Sequence, residues 1–151
     1  MSYLWEKQKA KGDKGEELII EFMQNRGHEV IDLSNDKRYF EPDIDFQIAG
    51  KFVELKTDYK MSRTNNLFLE TKIEYYNGTS AEGYFAKSKA EYLFYLDINN
   101  KELYIYNFED LRKLVQSGNY QTRTAKDGYK TIYGTIINKD LAKPSQILKI
   151  Q

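Results

Sequence analysis

The sequence predicts a mixed domain of the α/β sandwich-like or α+β class. A helix with one apolar face comes first, several strands joined by antiparallel connections follow, and a further helix and strand come after them. No repeat, low-complexity tract or Pro-rich linker divides the 151 residues. Residues 1–151 are therefore expected to form a single domain.

The first helix is predicted for residues 13–26, because apolar side chains recur there at helical spacing. Those side chains are Leu18, Ile19, Phe22 and Met23. Gly27 lies where a glycine commonly ends a helix. Residues 30–33 then have the composition of a short strand.

A β-hairpin is predicted for residues 42–56, the stretch that bears most directly on function. Polar and apolar residues alternate on both sides of Ala49-Gly50, which has the composition of a two-residue turn. Ile48 then lies opposite Lys51, and the same register places Phe46 opposite Val53 on an apolar face.

The polar face of this hairpin gathers charged side chains. The register places Asp45 opposite Glu54 and Asp43 opposite Lys56. Directly opposed Cβ atoms lie about 4.5–5.5 Å apart and diagonal ones about 7–8 Å, so Asp43, Glu54 and Lys56 can converge on one small volume. Asp45 shares the face, either as a contact of a second ion or a metal-bound water, or as a solvated partner.

The remaining elements are predicted from shorter signals. A polar loop at residues 57–66 leads to a strand at 67–70, which would be the third of the sheet; Glu70 on it reaches the site only if that strand lies beside Glu54. The others are a hairpin at 92–106 with a turn at Asn99-Asn100, a helix capped by Asn107 and ended by Gly118, and a last strand at 129–137.

Composition excludes several kinds of chemistry. With one histidine and no cysteine, a Cys/His zinc site or a Cys- or Ser-based triad has little to build on, which leaves carboxylates and lysines. Neither a GxGxxG nor a P-loop motif occurs. The 23 basic and 23 acidic residues cancel, so a nucleic acid would have to be held locally. No signal-peptide core or membrane-length apolar run is present, so we expect a cytoplasmic protein without a membrane partner.

Two carboxylates beside a lysine repel one another unless a cation compensates them. Oxygen ligands without His or Cys suit hard ions such as Mg²⁺ or Mn²⁺. A metal-bound water, a cation that stabilises charge on phosphate oxygens and a neighbouring lysine fit phosphodiester hydrolysis best. The alternative is an ordinary solvated strand face with cross-strand ion pairs among Asp43, Asp45, Glu54 and Lys56.

These residues resemble a family. Pro42-Asp43, then Glu54-Leu55-Lys56 eleven positions after Asp43, together with an upstream helix that carries Glu16, is similar to the PD-(D/E)xK nuclease superfamily of restriction-endonuclease-like and Holliday-junction-resolvase-like enzymes. The resemblance spans about residues 12–72. It implies a restriction-endonuclease-like core, in which a mixed central β-sheet is flanked by α-helices.

The resemblance also implies roles. Asp43 and Glu54 would be the metal-binding carboxylates, the backbone carbonyl of Leu55 would complete the coordination of Mg²⁺ (or Mn²⁺ in its place), and Lys56 would position or activate the attacking water. Glu16 would be the helix carboxylate, because Gly12, Gly15 and Gly27 frame the helix as in resolvase-like members. Glu17 is adjacent, and helical geometry favours Glu16 only weakly.

The function expected on this basis is a Mg²⁺-dependent DNA endonuclease, with resolvase-like activity as one form. The alternatives are a catalytically silent nuclease-fold module that binds nucleic acid or assembles with a partner, and cleavage of RNA. A homodimer would supply two sites for two strands. Phosphate contacts, or else an ordinary solvated surface, are expected from a set of basic residues near the site: Lys7, Lys9, Lys11, Lys14, Lys60, Arg63 and Lys72.

Overall fold

Two β-sheets and a few helices make up the chain in the computed structural model, which describes the backbone of residues 3–151 and, except at 3–5, 7, 8 and 127, their side chains. The described helices are α1 (Tyr3–Asn25), α2 (Met61–Thr64), α3 (Tyr84–Lys87) and α4 (Phe108–Ser117), with a 3₁₀ turn at Lys37–Tyr39. The described strands are β1 (Val30–Asp32), β2 (Phe46–Ile48), β3 (Lys51–Asp58), β4 (Asn66–Tyr75), β5 (Ser80–Glu82), β6 (Tyr92–Asp97), β7 (Glu102–Asn107), β8 (Thr122–Asp127), β9 (Lys130–Asn138) and β10 (Gln146–Lys149).

The larger sheet has six strands in the order β1-β2-β3-β6-β7-β10. It is mixed, because β3 and β6 run parallel while its other neighbours are antiparallel. The smaller sheet is antiparallel, in the order β5-β4-β9-β8. The expected α/β class with a mixed central sheet is confirmed, with few helices around it.

Two apolar cores hold these layers. Ile19 and Met23 of α1 pack in one cluster with Phe46 and Val53 of the larger sheet. The second cluster joins the two sheets and includes Leu69 of β4. Because side chains alternate along a strand, Val53 faces the first cluster and Glu54 faces the other side of β3. Within residues 3–151, no helix combines the length and apolar character that crossing a bilayer requires.

The hairpin prediction is confirmed in its register, with Ile48 opposite Lys51 and Phe46 opposite Val53. Ala49 and Gly50 have φ of 50° and 81°, the left-handed values that a two-residue hairpin turn of the primed type requires. The hairpin at 92–106 is confirmed as β6 and β7, and the second helix as α4. The Asn107 side chain caps α4 by accepting a hydrogen bond from the N–H of Asp110 at 3.0 Å.

The predicted pairing of Asp43 with Lys56 is wrong. The β2–β3 ladder begins at Phe46, preceded by one bond from the N–H of Asp45 to the carbonyl of Val53 at 2.9 Å. Asp43 lies in a turn with a φ of 56°, which extended backbone cannot adopt.

Other boundaries differ because distant packing decided them. Helix α1 begins at Tyr3, and the predicted loop at 57–66 contains the end of β3 and the short helix α2. The strand at 67–70 is part of β4 in the smaller sheet, and β6 takes the place beside β3. The strand at 129–137 is β9 and is not the last, because β10 follows it, and the polar edge strand β8 escaped prediction.

Candidate active site

A cleft of about 640 Å³ lies between β3 and the smaller sheet, with α1 at one side. Glu16, Asp45, Glu54 and Lys56 all line it. The cleft therefore brings together four of the residues that the sequence singled out.

Glu54 is the most unusual group in the cleft. It is 6% exposed, and its Oε2 atom has no hydrogen-bond donor among the described residues. Burial, and then the neighbouring carboxyls of Asp45 and Asp43, raise the pKa of Glu54 well above its ordinary value. An ionised carboxylate in this position lacks the compensation that buried charges normally receive.

Asp45 is fixed beside Glu54 by the backbone. Its Oδ2 atom accepts a hydrogen bond from the N–H of Leu55 at 2.7 Å. Burial is the main cause that raises the pKa of Asp45, and the hydrogen bonds from the Leu55 N–H and with Glu54 oppose it. The Asp45 carboxylate is thus held in one orientation beside Glu54.

Asp43 contacts Glu54 but does not line the cleft. Burial raises the pKa of Asp43, while the hydrogen bond with Glu54 and the charge of Lys87 lower it. Its backbone carbonyl accepts a hydrogen bond from the Ser88 hydroxyl at 2.8 Å, which anchors the turn. Of the two aspartates, the structure therefore places Asp45 on the open side of the acidic cluster.

Glu16 reaches the cleft because α1 lies very close to β3. A Cβ atom at Gly15 would come within 1.9 Å of Oγ1 of Thr57, so only glycine permits this approach. Burial and the charge of Asp45 are the leading causes that raise the pKa of Glu16 to about 7. Glu17 is exposed and does not line the cleft.

Lys56 is held from the smaller sheet. Its Nζ lies 3.4 Å from Oε2 of Glu70 and 5.6 Å from the centre of the Tyr84 ring. Glu70 thus reaches the site although β4 does not pair with β3. The sequence predicted that Glu70 would reach the site only if its strand lay beside Glu54.

Basic residues border the cleft, but only some are those expected. Lys11 and Lys60 line it, whereas Lys14 and Arg63 do not, and Lys9 and Lys72 form ion pairs with Asp13 and Glu74 at 2.9 and 2.8 Å. The Lys7 side chain falls outside the described part. Three further lining residues were missed, namely Arg123, Lys126 and Lys130. The dipeptide Asp127-Gly128 between Thr-containing segments was the available signal for the hairpin that carries them.

The acidic cluster is a candidate binding site for a metal ion. Among the described side chains, no three His, Cys, Asp or Glu residues bring their ligating atoms together as a metal site. Mg²⁺ is commonly bound through one or two carboxylates, with waters and substrate phosphate completing its shell. Asp45 and Glu54, with the unpartnered Oε2 atom and the backbone of Leu55 beside them, fit that smaller donor set.

Comparisons with protein-family models, with curated proteins and with solved structures found no match to this chain.

Proposed function

We propose that this protein is a Mg²⁺-dependent DNA endonuclease of the PD-(D/E)xK type, built on a restriction-endonuclease-like core. The observation that carries the proposal is Glu54, a buried carboxylate whose Oε2 atom has no donor among the described residues and which has the carboxyls of Asp45 and Asp43 beside it. It lines an open cleft beside a lysine. A bound cation would compensate the charge of the carboxylates, and a phosphate would compensate the charge of the lysine.

The main alternative from the sequence was a solvated strand face with cross-strand ion pairs. Such a face would leave Glu54 exposed to water or paired with a cation, whereas Glu54 is buried and faces Asp45 and Asp43. Lys56 is directed to Glu70 instead of to Glu54. The arrangement costs folding free energy, and a structural role does not explain that cost.

In the proposed site, Asp45 and Glu54 would hold the cation with the backbone carbonyl of Leu55, and Asp43 would add negative charge to Glu54. The bound ion would supply a more acidic water and stabilise charge on the phosphate oxygens. The Lys56 ammonium would orient the attacking water and bind a phosphate oxygen. Glu16, whose pKa of about 7 lets it exchange a proton near neutral pH, would accept or return a proton at the cleft edge.

The decisive experiment incubates the purified protein with labelled duplex, branched and single-stranded DNA, with Mn²⁺, with Ca²⁺ or with EDTA. We expect cleavage of at least one DNA form with Mn²⁺ and none with Ca²⁺ or EDTA. Activity in EDTA would contradict the metal-dependent mechanism. Retarded DNA without cleavage under any condition would favour the silent binding module.

A further inference from the structure

The wall of the cleft that the smaller sheet forms carries apolar side chains. Phe68 of β4 and Ile136 of β9 pair across the smaller sheet, are half-buried and line the cleft. The Phe68 ring lies over Gly134, where a Cβ atom would come within 2.8 Å of Cζ of the ring. Glycine at this position therefore lets the ring lie against the sheet, with the cleft on its other side.

Three basic residues border this wall. Arg123 and Lys126 are exposed on the edge strand β8, and Lys130 begins β9 after the connecting turn. All three line the cleft. An apolar aromatic surface beside a basic edge is the combination that binds single-stranded nucleic acid, whose bases stack while its phosphates follow the cations.

The dimensions of the cleft suit one strand better than two. Its volume of about 640 Å³ lies in the range of roughly 300–1,000 Å³ that encloses a small ligand. Such a space holds a few unstacked nucleotides. A duplex would cover the mouth of the cleft and keep its bases away from Phe68.

We propose that the cleft binds a single extended DNA strand, with bases against Phe68 and phosphates along Arg123, Lys126 and Lys130, and so brings one phosphodiester to Glu54 and Lys56. The inference rests on the proposed function and adds the form of DNA that the site accepts. Flaps, frayed ends and unpaired segments are then substrates, and intact duplex is a poor one.

Binding is tested by fluorescence anisotropy of a labelled oligothymidine and of a duplex of equal length, in EDTA so that no metal-dependent cleavage occurs. We expect wild-type protein to bind the single strand at least about ten-fold more tightly. The variant R123A/K126A should bind it about ten-fold more weakly and lower the slope of log K against log salt by about 1.4, at about 0.7 for each lost phosphate contact. The matched control R26A/K143A removes the same charges outside the cleft and should match wild type.

Phe68→Leu provides the complementary test. It should weaken single-strand binding by about ten-fold and leave the salt slope unchanged, because it removes a stacking surface and no charge. If this half-buried substitution prevents folding, the surface variant R123A/K126A still decides the matter. Equal or tighter binding of duplex, or equal behaviour of R123A/K126A and its control, would overturn the inference.

Cleavage with Mn²⁺, measured separately, tells the two proposals apart. Cleavage of duplex by a protein without a single-strand preference would overturn this inference and leave the nuclease assignment intact. A charge-dependent preference for single strands without cleavage of any substrate would support this inference and overturn the nuclease assignment.

Discussion

Two acids of the same strand, Glu54 and Asp58, are buried to a similar extent, at 6% and 9% exposed. The Asp58 carboxylate accepts hydrogen bonds from the N–H groups of Lys60 and Met61, at 2.7 and 2.9 Å, and from the Tyr95 hydroxyl. The Oε2 atom of Glu54 has no donor among the described residues. The two positions therefore differ in compensation rather than in burial.

The comparison separates an acid with a structural role from one whose burial no structural contact explains. Tyr95 also accepts a hydrogen bond from the N–H of Phe68 at 2.9 Å, so Asp58 and Tyr95 together connect β3, β6 and β4 beside the cleft. Asp58 thus fastens the smaller sheet to the larger one. Glu54 makes no such connection among the described residues, and under the proposed function a bound cation would recover the free energy lost in burying it.

The largest expected effect is that of Glu54→Gln. It removes a proposed metal ligand, so metal-dependent cleavage should fall by at least about 100-fold, the upper end of what losing an outer-shell partner of a metal costs. The same change relieves an uncompensated buried charge, and the metal-free protein should gain about 1 kcal/mol, or about 2–4 °C in Tm. Cleavage rates and thermal melts in EDTA measure both.

Asp58→Asn is the matched control on the same strand. It places an amide where three donors converge, so we expect a loss of about 1–3 kcal/mol and a lower Tm. A higher Tm for Glu54→Gln and a lower Tm for Asp58→Asn would confirm that the two acids differ in compensation. A loss of stability in Glu54→Gln as well would show that Glu54 is a structural acid.

The variants Asp45→Asn and Asp43→Asn test which of the two aspartates is the ligand of the proposed cation. Because Asp45 lines the cleft and Asp43 does not, Asp45→Asn should lower cleavage by about 100-fold and Asp43→Asn by about ten-fold or less. Titration of the Mn²⁺ dependence of cleavage measures the effect on metal affinity. The reverse order would restore Asp43 to the role that the family resemblance gives it.

A smaller effect is expected at Glu70, which acts through Lys56. Glu70→Gln should lower kcat by about ten-fold and leave KM nearly unchanged, because the carboxylate lies 3.4 Å from the Lys56 ammonium and positions it. Glu74→Gln is the control, since it removes an acid of the same strand that pairs with Lys72 outside the cleft. A lower Tm with kcat unchanged would indicate a merely structural contact.

The smallest effect is a pH dependence of stability. Glu16 has a pKa of 4.5 in ordinary surroundings and about 7 in the folded chain, so between these values the folded state binds the extra proton. Stability of the metal-free protein should therefore fall as pH rises through this window, and Glu16→Gln should flatten the trend. Thermal melts from about pH 5 to pH 8 test this, and Mg²⁺ should oppose the fall at the upper end.

Some of the site could be predicted because its causes are local. The Ala49-Gly50 turn and the alternation around it determine the register that places Phe46 opposite Val53 and turns Glu54 to the other face of β3. The position of Asp43 could not be predicted in this way, because the β2–β3 ladder begins only at Phe46 and Asp43 lies in a turn with its own conformation.

By itself, the sequence determined the hairpin that carries Glu54 and Lys56 and the capped helix α4, because turn geometry, side-chain alternation and capping act over a few residues. Only the tertiary structure decided that β4 joins a second sheet, that Glu70 holds Lys56 and that Arg123 borders the cleft. It also decided that Glu54 is buried with no donor to its Oε2 atom in the part of the chain that the structure describes. These features depend on which distant surfaces pack together, and the free energy of that packing is shared by the whole chain rather than encoded in any one segment.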